Sequence, residues 1–223
     1  MSSPLEKSAQ MENRYASLGE DPWGNRERQL YQKIFKKATE LAYQHLPEFK
    51  DVDADGKVRI NLYDIGAGGG NVIDVWRENL PDNMSLNICG CDISETAISF
   101  LEKRYVDSKF DLVDLEEYDN TKSSLLNMAA ADIVSIVDVM YYFDVKRDYK
   151  ETLDHIWSTL RPGAIVVVAD NLVRHFRRDY FKKKEDCMVL EEFTDFTEKI
   201  CEETSESGRK WNRYLKIRIF KKI

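Results

Sequence analysis

One stretch constrains this chain more than any other: an apolar run that ends in an acid and then breaks into glycines. It spans Ile60 to Asn71 and reads I-N-L-Y-D-I-G-A-G-G-G-N. Isoleucine, leucine and tyrosine favour a buried strand, and glycine lets the backbone turn tightly and approach a ligand closely. Apolar residues at helical spacing follow in residues 71–80. The pattern therefore predicts a strand, a ligand-binding glycine turn and a helix N-terminus.

Apolar strand patterns and helical patterns alternate through the middle of the chain. Four further strands are predicted, at residues 86–92, 109–113, 131–137 and 164–169. Helical patterns lie between them, one beginning at the cap Ser94 and one spanning residues 147–160. Strands this continuously apolar are typical of a parallel sheet covered on both faces. The predicted fold is doubly wound α/β.

The two ends of the chain carry different patterns. The N-terminal part predicts a disordered tail, a short helix, a turn around Trp23 and an amphipathic helix, in residues 1–10, 11–18, 21–24 and 26–46. At the other end, apolar and polar residues alternate in residues 213–221, and Ser207–Gly208 is a turn signal. Together with residues 198–203 they predict an antiparallel C-terminal hairpin at the sheet edge.

Composition narrows the class of protein. With 223 residues, 43% of them apolar, the chain is expected to form one domain. The formal net charge of −7 argues against nucleic-acid binding, which relies on Lys and Arg. No apolar run is long enough to span a membrane, and the polar N-terminus lacks the apolar core of a signal peptide. We therefore expect a cytoplasmic protein with no membrane partner, whose four cysteines are reduced and which holds no metal.

Acids follow or end all five predicted strands. In doubly wound sheets ligands bind outside the carboxyl ends of the strands, where the strand order reverses. A single acid in this position is usually a turn former or a helix cap. Five at one edge of the sheet indicate a ligand site, and they are Asp64, Asp92, Asp114, Asp138 and Asp170.

The spacing of the glycines helps to choose the ligand. A dinucleotide fingerprint needs a third small residue where this chain has Asn71. The observed glycines, with Asp64 ahead of them, fit an amino-acid moiety better than a pyrophosphate. Asp92 lies 22 residues beyond Gly70, and its two carboxylate oxygens suit two ribose hydroxyls.

Residues 62–169 resemble a class I S-adenosylmethionine-dependent methyltransferase. D-I-G-A-G-G-G-N is similar to the first motif of that superfamily, C-G-C-D-I-S to the second and L-V-D-L to the adenine-binding stretch. I-V-D-V-M-Y-Y-F resembles the fourth motif, and L-R-P-G-A resembles the loop before the fifth strand. The resemblance implies S-adenosyl-L-methionine as cofactor and a Rossmann-like, mainly parallel seven-stranded sheet with an antiparallel C-terminal hairpin and an N-terminal helical cap.

The resemblance also implies roles for individual residues. The methionine moiety is assigned to Asp64, Gly66, Ala67, Gly68 and Gly70, and the ribose to Asp92. The adenine is assigned to Ile93, Asp114 and Leu115, and the floor beside the methyl group to Val137 and Asp138, the latter a candidate catalytic residue. The implied layout of the chain is a tail and helical cap, a cofactor-binding core and an acceptor-side segment with the edge hairpin, in residues 1–50, 58–170 and 171–223.

A narrower likeness concerns the two ends of the chain. D-P-W, V-M-Y-Y-F and Y-L-K-I-R-I-F resemble the rhizobial nodulation type of small-molecule N-methyltransferase. In that group the N-terminal segment folds over the cofactor, which implies that Trp23 and Tyr31 close the site. This chain reads R-Q-L-Y-Q at residues 28–32, where the group has Ser-x-Tyr-Glu. Saccharide recognition is therefore left open.

The acceptor side is less constrained by sequence. His175 is a candidate general base, and Tyr141 and Tyr142 are candidates for an aromatic wall. Residues 171–184 hold six cations and one acid. This segment is either a solvated face or an anchor for an anionic acceptor through Arg174, Arg177 and Arg178.

Three functions are compatible with these features. The first is a methyltransferase acting on the N or O of a small polar, anionic or sugar-like metabolite. The second is an RNA or protein methyltransferase, which the acidic balance disfavours. The third is a non-catalytic cofactor-binding partner subunit, which the intact motif residues disfavour. The sequence leaves the oligomeric state open, with a homodimer among the options.

Overall fold

The protein is described from a computed structural model. It describes residues 4–24, 29–46, 52–114, 124–140, 149–171, 180–194, 201–204, 210–213 and 215–223. The α-helices in these ranges are α1 (Pro4–Leu18), α2 (Gln29–Gln44), α3 (Asn71–Glu78), α4 (Glu95–Arg104), α5 (Ser124–Ala129) and α6 (Tyr149–Thr159), and a short 3-10 helix spans Phe181–Lys183. The strands are β1 (Val58–Ile65), β2 (Met84–Asp92), β3 (Lys109–Leu112), β4 (Ile133–Val137), β5 (Ile165–Asn171), β6 (Cys187–Thr194), β7 (Cys201–Thr204), β8 (Lys210–Arg213) and β9 (Leu215–Lys222).

The main sheet has seven strands in the order β3-β2-β1-β4-β5-β9-β6. Strands β1 to β5 run parallel, whereas β9 is antiparallel to both of its neighbours, β5 and β6. The strand order reverses at β1, which pairs with β2 on one side and β4 on the other. The predicted doubly wound, mainly parallel sheet is confirmed, and its reversal point lies at the glycine stretch.

Both faces of the central strands are buried, which explains their continuous apolar sequences. On β1, Leu62 packs in the cluster that holds Phe35 of α2 and Trp76 of α3. The neighbouring Tyr63 points to the other face, in the cluster that holds Leu153 and Trp157 of α6. Successive strand residues alternate between faces. The central strands therefore have no polar face that would produce an alternating pattern.

The N-terminal tail prediction is wrong for residues 4–10, because α1 begins at Pro4. Its first turns are polar and carry no strong helical pattern. Tertiary contacts hold the helix: the Ser8 hydroxyl donates to the carbonyl oxygen of Ile93 at 3.4 Å, and Met11 and Tyr15 are buried. Marginal helices in proteins are stabilised mainly by such packing. The predicted turn around Trp23 is confirmed, with the Gly24 amide donating to the Asp21 carbonyl at 3.0 Å.

The C-terminal strands are arranged differently from the prediction. A hairpin of β7 and β8 does form, but it makes a separate two-stranded sheet. The long strand β9 lies inside the main sheet, and its antiparallel partner at the edge is β6, which the sequence analysis missed. The register of β6 shifts between Val189 and Glu191. Such a bulge breaks the period of two by which a strand is recognised.

No helix in the described ranges is long and apolar enough to cross a membrane. Cys89, Cys91 and Cys187, the cysteines whose side chains the structure describes, are free thiols.

Candidate functional site

The glycine loop follows β1 at the point where the strand order reverses. Gly66, Gly68 and Gly70 have φ values of 70°, 55° and 83°, a region in which residues with a side chain are strained. The amides of Gly66 and Ala67 donate to the carbonyl oxygen of Cys91 at 2.8 and 3.0 Å. These bonds hold the loop against the end of β2. Because β2 pairs with β1, Asp64 and Asp92 lie at the ends of adjacent strands.

Asp64, near the end of β1, is buried with 1% of its surface exposed. The Ser135 hydroxyl donates to its Oδ1, while Oδ2 is buried with no hydrogen-bond partner among the described residues. Burial raises the pKa of this carboxyl to about 7, and the nearby charge of Asp92 adds to the rise. A buried carboxylate oxygen without a donor is unfavourable. The site therefore fits a ligand that brings a cationic or N–H donor to Asp64.

Asp92, at the end of β2, is 8% exposed and has both oxygens engaged. The Gly68 amide donates to Oδ2 and the Ser94 amide to Oδ1, both at 2.9 Å. Burial raises the pKa of this carboxyl, and the backbone donors oppose the rise. Each carboxylate oxygen has a second lone pair. Asp92 is thus oriented by backbone groups and retains acceptor capacity for two hydroxyls.

Residues 4–24, α1 and the turn after it, form an N-terminal cover over the glycine loop. Tyr15 is 4% exposed, and a Cβ added to Gly68 would lie 2.4 Å from its hydroxyl oxygen. A Cβ on Gly69 would lie 1.8 Å from the carbonyl oxygen of Glu20. Gly69 has no positive φ, so close approach of the cover is what requires a glycine there. Trp23 packs edge-on against Tyr15, with ring centroids 5.5 Å apart.

Polar contacts fasten the turn of the cover to α3 and α4. The side-chain amide of Asn71 donates through Nδ2 to Asp21 Oδ1 at 2.8 Å. Arg104 forms ion pairs with both Glu20 and Asp74. These contacts join residues distant in sequence around the glycine loop.

The end of β4 lies on the other side of the loop. Val137 is buried, and Asp138 has a φ of 53° while its amide donates to the Ala169 carbonyl at 2.8 Å. A Cβ on Gly66 would lie 2.2 Å from Val139 Cγ2, so this segment presses on the glycine loop. A non-glycine residue with positive φ is uncommon, and such backbone conformations cluster at functional sites.

The remaining predicted site residues fall into two groups. Ile93 follows β2, and Asp114 lies just after β3, where the Val113 amide donates to the Asp92 carbonyl at 2.9 Å. These residues therefore share one edge of the sheet with Asp64 and Asp92. The other predictions lie outside the described residues or side chains: Tyr31, Leu115, Tyr141, Tyr142, Arg174, His175, Arg177 and Arg178.

Sequence reasoning missed three residues that contact the site. Ser135 lies in the middle of an apolar strand pattern and was not singled out, although a hydroxyl there is a usable signal. Glu12 and Tyr15 lie on α1, whose local sequence does not show what it packs against. Within the described residues, no cluster of three or more metal-ligating side chains forms.

Residues 63–166 match the sequence model of the methyltransferase domain family. The matched segment is similar to this family and lies within residues 62–169, whose motifs resemble those of class I S-adenosylmethionine-dependent methyltransferases. No sequence among curated proteins matches the chain.

Solved methyltransferase structures share this fold over nearly the whole chain. The N-methyltransferase NodS from Bradyrhizobium japonicum WM9, in complex with S-adenosyl-L-homocysteine, is 14% identical, with a TM-score of 0.65 and coverage of 96% of this chain and 97% of NodS. An S-adenosylmethionine-dependent methyltransferase from Anabaena variabilis is 11% identical, with a TM-score of 0.64 and coverage of 100% and 96%. The plantazolicin methyltransferase BpumL, also with S-adenosylhomocysteine, is 15% identical, with a TM-score of 0.54 and coverage of 100% and 92%.

S-adenosylmethionine is the cofactor that the motif resemblance implies. The residues at the reversal point fit it, because the cofactor carries an ammonium group for the unsatisfied oxygen of Asp64 and two ribose hydroxyls for the open lone pairs of Asp92.

Proposed function

We propose that this methyltransferase transfers the methyl group of S-adenosylmethionine to a nitrogen or oxygen of a small polar acceptor. The observation that carries the proposal is the pair of buried acids on adjacent strands, one with an unsatisfied oxygen and one held by backbone amides. The N-terminal cover lies against Gly68 and Gly69 of the loop that follows Asp64. The structural similarity to NodS, an N-methyltransferase, and to BpumL, the plantazolicin methyltransferase, agrees with a small-molecule acceptor.

In this proposal each of the two acids binds a different part of the cofactor. Asp64 holds the ammonium of the methionine moiety, and the loop from Gly66 to Gly70 lets the backbone approach it closely. Asp92 accepts from the ribose hydroxyls. Ile93 packs on the adenine, and Asp114 with the backbone of Leu115 contacts the adenine edge. Trp23 and Tyr31 close the cofactor site from the N-terminal side of the chain.

When bound, the cofactor would supply a methyl group on a sulfonium, and the neutral thioether that departs is a good leaving group. The protein therefore contributes mainly alignment of the acceptor and exclusion of water. Val137 and Asp138 line the floor beside the transferred methyl. An amine acceptor needs only to arrive unprotonated, whereas a hydroxyl acceptor would use Asp138 or His175 as a general base.

Two cations of β9, Lys216 and Arg218, lie beside β5. Lys216 is paired in register with Asp170, and Arg218 with Val168, so both lie toward the carboxyl end of β5. They share one carboxylate, Glu192, at 2.6 Å each, and the Arg218 bond is the main reason that the pKa of Glu192 falls to about 2. Tyr141 and Tyr142, together with Arg174, Arg177 and Arg178, complete the acceptor side in this proposal.

The test is transfer of a labelled methyl group from S-adenosylmethionine into a fractionated metabolite extract, with the product identified by mass spectrometry. We expect a methylated small anion, and the R174A/R177A/R178A variant should raise its KM about tenfold or more at similar kcat. The matched control is K182A/K183A, which removes two exposed lysines of the same segment. An unchanged KM in the arginine variant would contradict the anion-anchor proposal.

Other outcomes distinguish the alternatives. Label that enters RNA or protein instead of a small molecule would replace the small-molecule proposal with a macromolecular one. Cofactor binding without any transfer would favour a non-catalytic partner subunit. The proposed setting is the cytoplasm, with residues 1–223 acting as one domain; the free thiols of Cys89, Cys91 and Cys187 agree with a reducing compartment.

A further inference from the structure

One face of α1 contacts the glycine loop and the N-terminus of α4, the two segments whose backbone amides bind Asp92. Ser8, Glu12 and Tyr15 are spaced four and three residues apart, which places them on the same side of the helix. The Ser8 hydroxyl reaches the Ile93 carbonyl at 3.4 Å, and Tyr15 lies against Gly68. Glu12, between them, faces the N-terminus of α4.

Glu12 accepts three hydrogen bonds from the first residues of this helix. The Ser94 hydroxyl donates to Oε2 at 2.7 Å, the Thr96 amide donates to the same oxygen at 3.1 Å, and the Thr96 hydroxyl donates to Oε1. The Thr96 hydroxyl is the largest cause of a lowered pKa at Glu12. A carboxylate at a helix N-terminus also satisfies backbone donors that would otherwise lack partners.

Ser94 connects this contact to Asp92. Its hydroxyl donates to Glu12 and accepts from the Ala97 amide at 3.1 Å, which confirms the predicted cap of α4. Its amide donates to Asp92 Oδ1 at 2.9 Å. The other donor to Asp92, the Gly68 amide, belongs to the residue against which Tyr15 packs. Both residues that orient Asp92 are therefore in contact with α1.

We propose that Glu12 is a positioning residue for the ribose of the cofactor. It holds Ser94, and through Ser94 it holds Asp92 in the orientation that accepts two hydroxyls when the N-terminal cover is docked. The inference rests on the proposed role of Asp92. It assigns to α1 a function in cofactor recognition beyond excluding water.

The informative substitution is Glu12→Gln, which keeps the shape but leaves one acceptor oxygen for three donors. The matched control is Glu102→Gln on α4, whose side chain is exposed. A second, independent variant is Thr96→Val, which removes one donor to Glu12 and keeps a β-branched side chain. Melting temperatures establish that each variant is folded.

Calorimetry would compare two ligands, S-adenosylhomocysteine and its analogue lacking both ribose hydroxyls. We expect E12Q to weaken the binding of S-adenosylhomocysteine about tenfold, which is the effect of losing a charge-assisted hydrogen bond. The analogue should bind E12Q and the unchanged protein within about twofold. T96V should show the same selectivity to a smaller extent, and E102Q should show no change. Hydrogen exchange without ligand should be faster in residues 4–24 of E12Q.

Three outcomes would overturn the proposal in different ways. Equal losses for the two ligands in E12Q would show that the cover acts on the whole cofactor and not through the ribose. No loss in E12Q together with a loss in Asp92→Asn would refute the role of Glu12 and leave the ribose site in place. No selective loss in either variant would remove the ribose assignment of Asp92 itself, and the role of Glu12 with it.

Discussion

The ends of β1 and β2 each carry an aspartate, and the two carboxyl groups differ in burial and in hydrogen bonding. Asp64 is more deeply buried and has one oxygen without a hydrogen-bond partner in the part of the chain that the structure describes, whereas each oxygen of Asp92 accepts a backbone N–H at 2.9 Å. Both pKa values are raised by burial. The difference teaches that similar acids on neighbouring strands suit different groups: Asp64 suits a cation that neutralises it, and Asp92 suits neutral hydroxyl donors.

The largest expected effect comes from removing the charge of Asp64. Asp64→Asn should weaken the binding of S-adenosylhomocysteine on the order of a hundredfold, because the ammonium of the ligand would lose a charged partner in a buried site. Calorimetry at pH 8 measures this directly. Asp92→Asn is the matched comparison. It should reduce the affinity less, since it affects hydrogen bonds from neutral hydroxyl donors and removes no ion pair. A larger loss in D92N than in D64N would reverse the assignment of the two acids.

The pH dependence of cofactor affinity should follow Asp64. In the free protein the pKa of Asp64 is about 7, so the carboxyl holds a proton below that pH. An ammonium favours the carboxylate, so binding releases this proton and affinity falls as the pH falls below about 7, by up to about tenfold per unit. Calorimetry between pH 5.5 and 8 checks the slope. A D64N profile as steep as that of the unchanged protein would contradict the prediction.

The smallest effect should come from Ser135, whose hydroxyl lowers the pKa of Asp64. Ser135→Ala should move the midpoint of the pH profile upward, by about one unit or less, because the carboxylate loses a donor. Affinity well above the midpoint should change little. A shift of the midpoint to lower pH would mean that the hydroxyl stabilises the protonated acid instead.

The sequence predicted the strand, the glycine turn and the helix that follows it, because the signals for these elements are local. A strand, a positive-φ glycine turn and a helix must be contiguous, so the segment from Ile60 to Asn71 shows all three. The acids Asp64 and Asp92 follow from the same logic, since each lies at a strand end. The edge strand β6 was missed because its bulge breaks the alternation on which strand recognition depends.

Amino-acid sequence alone determined the fold class, the position of the glycine loop and the acids near it, since these depend on backbone propensity and apolar period. Only the tertiary structure decided which oxygens of those acids are satisfied. Asp64 differs from Asp92 because Ser135, Gly68 and Ser94 reach them from other elements. The same holds for Glu12, whose partners Ser94 and Thr96 lie more than 80 residues away along the chain. The physical reason is that a hydrogen bond depends on the position of its partner in space, and a local pattern carries no record of that position.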